Sequence, residues 1–587
     1  MRKGWIAAGV LAAGVWAAFA QPARVALIEI EGTPRAGTSP AGLFASEAPA
    51  SLRELTERIA EAGTNDLDGL VVRLKDTALD LSRAEELAAA VREARDSGVR
   101  VHVFSEAYGP TDIVLAAAAD QALVQRGGTV SLPGLAAERF YFADAFEWMG
   151  VRADYVQVGA YKGAQEPYTR SGPSPEWDEN IAGLLDAQYS NLIQPIRRGR
   201  GLSSRRLERA MEALFMAPAA RAIDLGLLDA EVDLPDLFES FLAEEVYTEY
   251  DGVEYAGELD GDRGPPLRAS NPLAVFSQLF EPPSRPTTGP TIAVLNIAGT
   301  IVDGDSGFGG LLGGATAGAR TIRNAIEEIL DDDNIRGLVV RIDSPGGSAS
   351  ASEIMWQGLR RASERLPVYV SVGSNAASGG YYVASAGQRL YVNPSSVVGS
   401  IGVVSGKLSF GEIADRLEIN VVTRSRGPNA ELLSQFSGWD DAQRRVITEN
   451  AEATYDLFVS RVSEGRPGAE IDEIGGGRVF AGDDAIALGM ADEIGGLRTA
   501  IADMAGELDL ERYDVKDFPG PPGLEDLLGQ SFGLPGLSAP ESGAAFGAAR
   551  ALLGERRFRA LRDQAEGWLL LRDRPVVLVS PSAVLIR

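Results

Sequence analysis

Two long stretches of this chain run in parallel. RVALIEIEGT (Arg24 to Thr33) resembles TIAVLNIAGT (Thr291 to Thr300), and GLVVRLKD (Gly69 to Asp76) resembles GLVVRIDS (Gly337 to Ser344). VRVHVFSEAYG, from Val99, matches LPVYVSVGSNA, from Leu366, and AARAIDLGLLDAEVD (Ala219 to Asp233) resembles AGDDAIALGMADEIGG (Ala481 to Gly496). Gly32 and Gly299 stand 267 residues apart, and the first three pairs hold that offset to within one residue. A repeat of this length means two copies of one domain rather than a solenoid of short units. The 587 residues are also too many for one hydrophobic core. The expected divisions are a signal or anchor at 1–22, a first copy at 23–280, a Pro-rich linker at 281–290, a second copy at 291–515 and an extension at 516–587.

Within each copy, apolar β-branched runs alternate with helical spacing. In the second copy Ile292–Ile297, Gly337–Ile342 and Val368–Val372 read as buried strands, and Thr321–Leu330 and Ser352–Leu366 as helices with charged faces. Strand–helix–strand alternation predicts an α/β fold with parallel sheets built from βαβ units. Residues 516–543 are rich in Pro and Gly and are expected to be irregular. A helix (Ala544 to Leu571) and a terminal strand (Pro575 to Leu585) are expected after them.

Composition excludes several chemistries. The chain has no cysteine, so thiol catalysis, disulfides and zinc–thiolate sites are out. Its one histidine, His102, falls in a strand-like run, where a core or surface strand residue is expected rather than a catalytic one. A multi-histidine metal site is impossible, and neither metal nor cofactor is expected. A formal charge of −28 argues against nucleic acid as a partner. Arg2 and Lys3 precede an apolar run from Gly4 to Ala20, which predicts an export signal. Ala18-Phe19-Ala20 fits a cleavage site, while the run is also just long enough to stay as a membrane anchor, the favoured expectation. Either way the bulk of the chain lies outside the cytoplasm.

GSNAASGGYY (Gly373 to Tyr382) places Ser378 between a predicted strand and a predicted helix, Gly380 to Ala386. Such a turn exposes the hydroxyl at the top of a sheet, and the glycines after it let a carbonyl come close. RIDSPGGSAS (Arg341 to Ser350) makes a second glycine turn after the neighbouring strand, with Ser350 or Ser352 as cap of the next helix. Backbone N–H groups of Gly346 or Gly347 with that of Gly379 can form an oxyanion hole. The proton acceptor has to be something other than histidine. A buried lysine can serve if burial keeps it neutral, and arginine cannot replace it. Only Lys3, Lys75, Lys162, Lys407 and Lys516 are available. Lys162, in YVQVGAYKGAQEPYTR, follows a strand-like run among small residues and is the best candidate. Lys407 comes second and reads as a solvated loop residue. The repeat sharpens the choice: Thr111 stands opposite Ser378, Asp76 to Leu79 (DTAL) opposite SPGG, and RSRGPNAE opposite the Lys162 stretch. One copy keeps the lysine and the other the serine, so one composite site accounts for both losses.

RIDSPGGSAS, SNAASGGYYVAS, NPSSVVGSIGVV and GAYKGAQEPYTR together resemble the signal peptide peptidase A family in its long form, also called protease IV, of the S49 serine peptidases. The resemblance runs over nearly the whole chain. It implies a ClpP/crotonase-like fold in each copy, Ser378 as nucleophile, Lys162 as general base, and Ser400 as a residue that orients the lysine. It also implies a homo-oligomer, expected as a tetramer, at the outer face of the bacterial cytoplasmic membrane, degrading apolar signal peptides released from preproteins; misfolded envelope proteins stand as an alternative substrate. The Gly-rich loop Gly304 to Gly318 is expected either at the substrate entrance or as a plain loop. Two other readings share parts of the pattern. A degenerate membrane scaffold would not need the intact glycine, serine and lysine set, and a crotonase-type acyl enzyme would not need an export signal.

Overall fold

The computed structural model describes residues 21–35, 37, 50–259, 287–308, 315–520 and 577–579. The expected anchor run and the helix expected at 544–571 lie outside the described residues. Among the described residues, no helix is long and apolar enough to cross a membrane.

The two copies build the same sheet. In the first, the strand order is Ala217–Pro218, Gln121–Val130, Arg100–Tyr108, Gly69–Lys75, Ala23–Glu31, Val253–Glu258. In the second it is Val479–Ala481, Val397–Gly399, Val368–Ala377, Ile335–Ser344, Thr291–Ala298, Asp514–Phe518. The four central strands of each are parallel. Apart from the second half of Gln121–Val130, where Arg126 is exposed, they are largely buried on both faces, which is why their sequences are rich in Val, Ile and Leu. The covering helices follow their apolar spacing: Ala319–Asp331 buries Ile322, Ala325, Ile326 and Ile329, one face of a 3.6-residue repeat.

Local chemistry differs from expectation at two points. The helix Ala349–Ser363 is capped by Ser348, whose Oγ accepts from Ala351 N at 3.3 Å, rather than by Ser350 or Ser352. Ser352 instead donates to Ser348 O at 2.9 Å inside the helix. Asp514–Phe518 is an edge strand parallel to Thr291–Ala298, so regular structure runs past residue 516. The Pro and Gly run begins only at Pro519, after the strand has ended. Of the terminal strand expected at 575–585, Val577–Val579 is described as strand.

A helix of the first copy, Leu81–Asp96, docks the two copies together. It is capped by Asp80, whose Oδ1 accepts from Arg83 N at 2.9 Å. Its Glu86 pairs with Arg341 of the second copy at 2.5 Å, and both side chains are almost wholly buried. Asn393 Nδ2 donates to the same carboxylate at 2.9 Å. Its Glu85 accepts from Ser395 N at 3.0 Å and Ser395 Oγ at 2.6 Å. Breaking a buried pair from one side strands the other charge in a medium that cannot solvate it. Glu86→Ala should therefore destabilise the chain by about 3–5 kcal/mol, read from urea unfolding. A loss under about 1 kcal/mol would contradict this account of how the copies are joined.

One strand crosses between copies. Arg152–Val158 pairs antiparallel with Val403–Ser409, from Val158 opposite Val403 to Arg152 opposite Ser409. The first copy thus completes a sheet of the second, and the residues just after Val158 are delivered to the carboxyl ends of the second copy's strands.

Candidate active site

Ser378 sits where the strand Val368–Ala377 meets the helix Gly379–Ala384. Its backbone is at φ 54°, ψ −116°, in a region that costs a non-glycine residue about 1–3 kcal/mol. The turn is held by Ser378 N donating to Gly399 O at 2.7 Å and by Tyr382 N donating to Ser378 O at 2.8 Å. The next two positions admit only glycine. A Cβ on Gly379 would lie 2.6 Å from Ser352 Oγ, and one on Gly380 2.6 Å from Ser344 O.

The SPGG turn lies against this one: the same Cβ on Gly379 would be 3.2 Å from both Gly346 Cα and Gly347 N. Gly346 N donates to Ser344 Oγ at 3.1 Å, so its hydrogen bond is already taken within the turn. Gly347 N, 3.2 Å from that Cβ position, therefore lies beside the residue that follows Ser378.

Lys162 arrives four residues after the crossing strand and is fully buried. Its Nζ lies 2.7 Å from Ser378 Oγ, 2.8 Å from Ser400 O and 2.9 Å from Ser400 Oγ. Burial alone pushes its ammonium well below the ordinary lysine value, with no opposing carboxylate. Ser400 is itself at φ 55°, its N donating to Arg478 O at 2.5 Å, which turns both its carbonyl and its hydroxyl toward the amine.

The lysine's bed is not visible as such in the sequence. A Cβ on Gly402 would approach Lys162 Cδ at 3.0 Å, and one on Gly477 would lie 2.4 Å from Lys162 N. Arg139 Nη2 donates to Gly163 O at 2.5 Å while its guanidinium stacks 4.2 Å from the Trp177 ring. Tyr161 N donates to Gly476 O at 2.8 Å. The glycines of SIGVV and GGGR are the local signal of this cradle, and a lone glycine does not say what approaches it.

The other candidates fall elsewhere. His102 is buried in the first copy's sheet with Nε2 3.0 Å from Tyr247 Oη, and burial holds its imidazole down at about 4. Lys407 is a buried strand residue rather than a solvated loop residue. Its Nζ donates to Ser434 O at 2.8 Å and lies 5.8 Å from the Trp439 ring, both in the segment that follows it in the same copy. Of the loop Gly304 to Gly318, residues 309–314 lie outside the described residues.

The first copy's corresponding corner has different chemistry. Asp112 stands where the second copy has Gly379, and it accepts from Thr77 Oγ1 at 2.8 Å and Gly109 N at 2.9 Å. A hydrogen-bonded carboxylate thus takes the place of an open glycine position.

Comparison with known proteins fits this geometry. The model of peptidase family S49 matches twice, at residues 93–245 and 360–511, and the two matches begin 267 residues apart, in step with the repeat. Protease 4 of Haemophilus influenzae is 28% identical over 75% of this chain and 70% of its own length. Protease 4 of Salmonella typhi is 27% identical over 81% and 75%. A putative signal peptide peptidase SppA of Enterococcus faecium is 26% identical over 39% of this chain and 66% of its own. The double match covers more than half of the residues and falls on both copies of the α/β unit, and the chain belongs to peptidase family S49.

Proposed function

We propose that this chain is a serine endopeptidase in which Ser378 is the nucleophile and Lys162 the general base. One observation carries the reading: a fully buried amine 2.7 Å from the hydroxyl of a serine on a strained strand-to-helix turn. A neutral amine has two N–H groups and one lone pair. Ser400 O and Ser400 Oγ accept the two N–H bonds, which leaves the lone pair facing Ser378 Oγ–H. Ser400 is then a positioning residue.

The steps follow. Lys162 Nζ takes the Ser378 proton as Oγ bonds to the peptide carbonyl carbon. The N–H groups of Gly347 and Gly379, with Gly346 shaping the turn, stabilise the oxygen as it becomes negative. The C–N bond breaks as Lys162 returns the proton to the departing amine, leaving an ester on Ser378. Lys162 next takes a proton from water as the hydroxide oxygen bonds to the ester carbon. The ester C–O bond breaks, and the proton passes back to Ser378 Oγ.

The substrates in this reading are extended apolar peptides, among them signal peptides released from preproteins. Placement at the cytoplasmic membrane, facing outward, rests on the N-terminal apolar run. Assembly into a homo-oligomer is supported by exposed Trp148, Leu417, Ile419, Val421, Val422 and Phe436, several of them grouped after the helix Gly411–Arg416.

An acylating probe tests the dyad. Mass spectrometry should find the label on Ser378. The labelling rate should fall as pH drops through a single ionisation below the ordinary lysine value of 10.5, because only neutral Lys162 accepts the proton. Label on another residue, or a rate flat in pH, would sink the assignment.

A further inference from the structure

The chain's last described segment lies at the candidate site. Val577–Val579 runs between Gly346–Ser348 and Val403–Ser409, antiparallel to both. Val579 stands opposite Gly346, Leu578 opposite Gly347, and Val577 opposite both Ser348 and Val404. The segment also lies beside the helix Gly379–Ala384, which Ser378 heads. So one flank of the strand is the oxyanion turn. The other is the strand that begins three residues after Ser400.

An extended peptide needs this same place. Cleavage next to Ser378 requires the peptide backbone to lie along the glycine turn, and main-chain pairing to an open strand edge is a general way to hold an extended peptide. Two strands cannot occupy one slot. In sequence the terminal segment is also what such a slot would accept: the apolar run Val576-Val577-Leu578-Val579 bracketed by Pro575 and Pro581.

We propose that the C-terminal strand is an intramolecular occupant of the peptide slot, so that a substrate must displace it before it is cut. This rests on the Ser378–Lys162 reading for the location of cleavage, though not for the position of the strand. It makes the tail a built-in competitor: free slots are a fraction of all slots, and the apparent KM is raised by the inverse of that fraction.

The test uses the full chain, the chain carrying Leu578→Pro, and the chain ending at residue 574. Proline removes an N–H and fixes the backbone, so it disrupts pairing without removing the tail. With an apolar peptide ester as substrate, both variants should show KM lowered by roughly 10-fold at unchanged kcat. A synthetic peptide of residues 572–583 should inhibit the shortened chain competitively. Unchanged KM in both variants, or a loss of kcat showing the strand to be a fixed part of the sheet, would overturn the proposal. Amide hydrogen exchange on the Ser378→Ala background separates this from the dyad. Loss of the strand should speed exchange across Gly346–Ser348 and at Val404, whether or not any form turns over. If turnover fails everywhere while exchange responds, the dyad is wrong and the strand is in the slot. If exchange does not respond, the strand is not there.

Discussion

Ser378→Ala should fold and assemble like the parent and lose peptidase activity by about 10⁴- to 10⁶-fold, with no covalent intermediate. The size follows from what is removed. Among the described residues, no other hydroxyl combines a buried lysine amine at 2.7 Å with the glycine turn, and Lys162 without a nucleophile has only water to activate. Alanine also relieves nothing else in the turn, because the Ser378 side chain makes no cap bond. Mass spectrometry after exposure to substrate, with circular dichroism for folding, checks both halves. Residual activity above about one part in 10³ would point to a different nucleophile.

Lys162→Met should be as severe, with at least about a 10⁴-fold loss, since nucleophile and base act as one unit and their losses do not add. Methionine roughly preserves the length and packing of the stem. Lys162→Arg should fail too: a guanidinium does not release its proton, and the amine's place is fully buried between Ser378 and Ser400. The lysine also predicts a readout independent of activity. Its folded-state pKa lies well below its unfolded value of about 10.4. Between those two values the unfolded chain carries a proton that the folded chain does not. Stability of the parent therefore rises with pH across that window and is lost as pH falls toward the folded pKa. Lys162→Met should flatten that slope in urea unfolding at several pH values. An unchanged slope would mean the lysine is charged in the folded chain.

Much of this site is legible in the amino-acid sequence. The repeat predicts two copies of one α/β unit, and the losses at Thr111 and at RSRGPNAE point to one composite site. That works because glycine turns after buried strands carry their chemistry locally: Ser378, Gly379 and the SPGG turn are set by neighbours in sequence. Partnership at long range is what the sequence does not carry. Nothing in YVQVGAYKG says that Arg152–Val158 will pair with Val403–Ser409, a strand of the other copy. The same blindness makes Lys407 look solvated, since Ser434 and Trp439, which meet its amine, lie about thirty residues downstream. The buried Glu86–Arg341 pair joins a charge inside a helix of one copy to a charge inside a strand of the other, and neither local context names its partner. Ser348 takes the cap from Ser350 and Ser352 because the strand pairing of Gly346–Ser348 brings the helix start forward.

The central claim is that each chain builds one whole site, with lysine from one copy and serine from the other. It is tested most directly by mixing. Ser378→Ala and Lys162→Ala chains, each shown to fold, are combined under conditions where subunit exchange is demonstrated independently, and an apolar peptide ester is assayed. With both groups held 2.7 Å apart inside one chain, the mixture should stay as inactive as either variant alone. Recovery of activity would mean that Lys162 of one chain serves Ser378 of another, and would contradict the account.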